Sequence, residues 1–140
     1  MKKPKQKQFF RFAHIDVFGA IALCFVGTDL NRHEDLFASF MMNFRGKRKP
    51  EYYWSLFNDF KTIAPDIAPS AAGEVIAPGT DPDVPIIYLT EYKPEVLVHE
   101  IVHAVAQIMH SYGLEDGKHN EVRAYMTDYL FQKFTEGIKL

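Results

Sequence analysis

The chain has 140 residues, 47% hydrophobic and 24% charged, with a formal net charge of -2; this fits one globular domain and excludes disorder, collagen-like repeats and a disulfide-stapled mini-protein, since Cys24 stands alone. No apolar run reaches the roughly 20 residues that span a bilayer, and Arg11, His14 and Asp16 interrupt what would be a signal-peptide core, so the expectation is a cytoplasmic protein with no membrane partner. The charge is uneven: residues 1–50 carry 10 Lys/Arg against 4 Asp/Glu, and residues 51–140 carry 6 against 14.

Residues 1–8 read as a solvated basic arm ahead of a single domain, 9–140. From Phe12 to Val26, β-branched and aromatic residues around Gly19 predict two short strands or one bulged strand. Thr28-Asp29-Leu30 offers an N-cap, and Leu36, Phe37, Phe40, Met41 and Phe44 recur near helical spacing, which predicts a helix over 30–45 ending at Gly46. Arg45 to Lys49 is a basic loop that reads as solvated charge, because no helix-turn-helix, RNP or zinc-finger pattern accompanies it. Tyr52 to Phe60 fits either a strand or a short helix. Residues 64–85 hold five of the eight prolines and read as mostly loop, with one extended piece at Gly73 to Ala77. Pro85 to Leu89 is a strand. Lys93-Pro94-Glu95 then opens a helix that runs to Gly113 at its C′ position, and Asn120 to about Glu136 forms a second, with Val122, Met126, Tyr129, Leu130 and Phe134 on one side. The expected class is α+β: a small mixed sheet packed on these two helices.

On the first of them lies His99-Glu100-Ile101-Val102-His103. Residues four apart share a helix face, so both imidazoles can reach one metal ion, and Glu100 on the flank can take a proton from water without being a ligand. A catalytic zinc site takes a third protein donor. Ala106 and Met109 stand where a metzincin would have Gly and His, and His110 lies about 10 Å along the helix from His103. Glu121 is the favoured donor: it opens the next helix eighteen positions after His103, across a loop with Gly113 and Gly117, and Glu115, Asp116 and His119 are the alternatives. Tyr125 and Asp128 follow one and two turns later, suited to an oxyanion or a ligand histidine, or to packing and surface roles. Ser70 and Cys24 have no adjacent His or Asp motif that would support nucleophilic catalysis.

HExxH with a downstream Glu resembles the gluzincin class of zinc metallopeptidases, and the small size resembles the minigluzincins, which keep a minimal catalytic core. Pro94 to Tyr129 is also similar to small metallopeptidase-like proteins of phages and prophages, in His99-Glu100, His103-Ala104 and the later Glu121 and Ala124-Tyr125; Tyr125 takes the place of an Asp frequent in thermolysin-like enzymes. The resemblance implies a zincin-like core with Zn2+ held by His99, His103 and Glu121, and catalysis by Glu100 with Tyr125. It also implies a peptide or protein substrate added as a strand along Gly73 to Ala77 and, for a phage protein, the host cytoplasm. Acidic residues around the site favour Lys or Arg near the cleaved bond. A second class also fits: a zinc-stabilised, non-catalytic protein whose basic N-terminal half holds nucleic acid or an acidic protein partner.

Overall fold

The computed structural model describes residues 8–67, 71–114 and 118–138, so the basic arm before Gln8, together with Ser70, Glu115, Asp116 and Gly117, lies outside the described residues. Its elements are β1 (Phe9–Ile15), β2 (Ala20–Val26), α1 (Leu30–Asn43), α2 (Pro50–Ile67), β3 (Gly73–Ile76), β4 (Ile86–Leu89), α3 (Pro94–Ser111) and α4 (Asn120–Phe134). The four strands form one mixed sheet in the order β1-β2-β4-β3. β1 is antiparallel to β2, β2 parallel to β4, and β3 antiparallel to β4 at the edge.

The central strands β2 and β4 are apolar on both faces, and such strands need helices on both sides. One face presents Ala20, Ala22, Cys24, Val26, Ile87 and Leu89 to α3 and α4; the other presents Leu23, Phe25, Ile86 and Tyr88 to α1 and α2. Side chains alternate along a strand, so each residue is committed to one core. The small residues on the first face let α3 lie close to the sheet. The second face is an aromatic cluster, in which Phe25 stacks on Phe60 with centroids 3.9 Å apart and Tyr88 meets Phe60 edge-on.

The α+β expectation is met, with differences in detail. Asp16 to Gly19 form a turn, with Gly19 at φ +63°, so Phe9 to Val26 is a hairpin of two strands. α1 starts as expected, with the Asp29 carboxylate accepting from the Arg32 N–H at 3.1 Å, but ends at Asn43 because Phe44 is extended. Tyr52 to Phe60, open between strand and helix, lies within α2, which also takes residues 64–67 from the expected loop. Tyr53, Leu56, Phe57, Phe60, Ala64 and Ile67 are buried at helical spacing, and this packing holds the last turn despite Pro65, which sits on the exposed side. α3 ends in a Schellman arrangement as the sequence predicts: Leu114 N–H donates to Met109 O, Gly113 N–H donates to His110 O, and Gly113 has φ +70°. No helix among the described residues is long and apolar enough to cross a membrane.

Candidate metal centre

α3 buries Leu97, Ile101, Ala104, Val105 and Ile108 against the sheet, which turns His99 and His103 to solvent beside the exposed Val98 and Val102. The two Nε2 atoms lie 3.2 Å apart, with the rings at 76° to each other. Glu100 completes the group, the three side chains offering donor atoms within 4.8 Å of one another. Unlike the histidines it is buried, 6% exposed, on the flank of α3 that faces β3.

The edge strand makes room for this carboxylate. Gly73 pairs with Leu89, and a Cβ on it would stand 3.1 Å from Val96 Cγ1 and 3.4 Å from Glu100 Cγ. The expected extended piece is therefore present as β3, its outer edge unpaired among the described residues and its first residue against the HExxH turn.

The two imidazoles fit zinc as a pair of ligands, and among the described residues no His, Cys, Asp or Glu beyond Glu100 joins them. Two nitrogens each about 2.0–2.1 Å from a tetrahedral zinc are about 3.3 Å apart, close to the separation of the two imidazoles. Both rings are accessible, and the neighbouring carboxylate is within reach of the same point. Cys24 offers no competing thiolate, since burial pushes its thiol well above the usual range.

Glu121 and Tyr125 are not brought to this group. Both are exposed on α4 and border a shallow apolar hollow with Ile15, Val17 and Phe18 of the β1–β2 hairpin. Phe18 also packs on Tyr112, with centroids 5.1 Å apart, which places this hollow at the C-terminal end of α3. Tyr112 is nine residues beyond His103, about 13 Å along the axis. Asp128 is exposed and accepts from the Gln132 amide at 3.4 Å, while the Tyr129 hydroxyl donates to the His14 carbonyl at 2.6 Å and ties α4 to β1. Sequence spacing aligned Glu121 with His103, whereas the docking of α4 on β1 sets where Glu121 lies. The approach of Gly73 to Glu100 has no signal in the sequence, since the two are twenty-seven positions apart. Comparisons with protein-family models, with curated proteins and with solved structures find no match.

Proposed function

We propose that this chain is a zinc-dependent peptide hydrolase, with Zn2+ held by His99 and His103 and with Glu100 as general base. The observation that carries the reading is the 3.2 Å separation of the two Nε2 atoms with the Glu100 carboxyl beside them. A bound zinc ion supplies Lewis acidity toward water and toward a carbonyl oxygen. Glu100 takes one proton from the attacking water as its oxygen adds to the peptide carbon, then passes that proton to the leaving nitrogen as the C–N bond breaks. Burial against Gly73 and Val96 limits the carboxylate to few positions, which is what a base of fixed geometry needs. The outer edge of β3 offers backbone N–H and C=O groups along which an extended peptide can pair as an added strand.

A purely structural zinc is the weaker reading. His99 and His103 are one turn apart on one helix and both exposed, so an ion held by them would tie no element to another. The test is metal analysis combined with peptide hydrolysis. Wild type should hold about one zinc per chain, and His99→Ala or His103→Ala should lose it. Glu100→Gln should keep zinc and lose hydrolysis; hydrolysis that survives this change removes the proposal. Glu121→Ala reports on the third donor: unchanged zinc affinity leaves α3 as the source of the protein ligands, and lost affinity means that α4 moves to supply one.

A further inference from the structure

At the opposite end of the sheet, where β2 and β4 begin, the hairpin tip, the α1–α2 loop, residues 81–84 and the end of α3 enclose a cavity of about 780 Å³. This is the size of a small-molecule site. Ser111 on its wall is eight residues beyond His103, the nearer of the two histidines, about 12 Å along α3, so the cavity is separate from the metal centre.

Arg45, Lys47 and Arg48 line it, three cations within four residues. No carboxylate among the described residues lies within 4.0 Å of their charged groups. The two carboxylates on the wall are engaged by hydroxyls instead: Tyr52 donates to Asp81 at 2.5 Å and Ser111 to Asp83 at 3.0 Å. The loop is held in place. Arg48 N–H donates to the Tyr53 hydroxyl at 3.3 Å, the Arg48 guanidinium lies 5.2 Å from the Tyr52 ring centroid, and a Cβ at Gly46 would overlap the Tyr53 hydroxyl. Arg45, Lys47 and Arg48 are exposed cations within one four-residue stretch, and a bound anion would offset the repulsion among them. The loop leads directly into α2, whose N-terminal dipole adds to the positive potential. A bare phosphate would leave most of the cavity empty, while Phe12, Phe44 and Tyr53 supply an aromatic wall.

We propose that this cavity binds a nucleoside phosphate, with Arg45, Lys47 and Arg48 on the phosphate and the aromatic wall against the base. Calorimetric titration of the full chain with AMP, GMP, CMP, UMP, adenosine and inorganic phosphate tests it. At least one nucleotide should bind tenfold or more tightly than phosphate or adenosine, and more weakly as salt rises. The double variant Arg45→Gln, Arg48→Gln should weaken that binding at least tenfold. Arg32→Gln with Lys61→Gln, an equal change of charge elsewhere, should leave it unchanged, as should His99→Ala. If the first double variant fails to fold by circular dichroism, Lys47→Gln on the same exposed loop should show a severalfold loss. No nucleotide binding at millimolar concentration, inorganic phosphate binding as tightly as nucleotide, equal loss in the two double variants, or loss in His99→Ala each overturns the assignment.

Discussion

Gly73→Ala asks whether the edge strand positions the general base. The added Cβ would lie 3.1 Å from Val96 Cγ1, 3.2 Å from the Tyr88 carbonyl oxygen and 3.4 Å from Glu100 Cγ. Carbon atoms prefer separations of about 3.5–4.0 Å. The Tyr88 carbonyl belongs to β4 inside the sheet, so the adjustment of a few tenths of an ångström falls on the side chains of Val96 and Glu100. Overpacking of this kind costs about 1–3 kcal/mol, which corresponds to a fall in Tm of about 3–10 °C for a chain of this length. A misplacement of about 1 Å costs on the order of 10²-fold in rate, so this smaller shift predicts a drop in kcat of about three- to tenfold. Zinc content should not change, since the three atoms nearest the added Cβ belong to Val96, Tyr88 and Glu100 and not to a histidine. The assay is peptide hydrolysis with parallel metal analysis and thermal melts. An unchanged kcat in a variant whose Tm has fallen would refute the positioning of Glu100 by Gly73, as would a loss of zinc.

Three further outcomes follow from the packing. Phe60→Ala removes a fully buried ring stacked on Phe25, and should lower stability by about 3–5 kcal/mol, read as a lower urea midpoint with unchanged slope; a loss under about 1 kcal/mol would contradict the role of this stack. His33 is buried with its Nε2 2.8 Å from the Gly27 carbonyl oxygen, and burial holds its pKa below the ordinary value. The unfolded chain therefore takes up this proton first, so the His33 contribution is full above about pH 6.5 and is lost as pH falls toward the lower folded-state value. Urea midpoints at pH 7 and pH 5.5 should fall more in wild type than in His33→Phe, and equal falls would contradict this. Removing zinc with a chelator should leave the far-ultraviolet circular dichroism unchanged and lower stability by mass action alone, about 2.7 kcal/mol where free zinc had been a hundredfold above Kd; global unfolding on chelation would favour the zinc-stabilised reading.

Features set by a few neighbouring residues were legible in the sequence. The four-residue spacing of His99 and His103 is a property of helix geometry, the Asp29 cap and the Gly113 terminus act within one turn, and the β-branched and aromatic residues around Gly19 mark strands. α2 was half legible, because its buried residues from Tyr53 to Ile67 keep helical spacing while Pro65 signals a break; packing on the aromatic face of the sheet outweighs that local signal. Three arrangements come from tertiary structure alone. Gly73 meets Glu100 across strand β3 and helix α3, twenty-seven positions apart in the chain. The basic residues 45–48 read as solvated charge until the hairpin tip, residues 81–84 and the end of α3 close a cavity around them. Glu121 follows HExxH at a suitable interval, yet α4 docks on β1 through Tyr129 and carries it to the far end of α3. Each of these depends on where separate elements come to rest, which burial of the two sheet faces decides over the whole chain and no local pattern encodes.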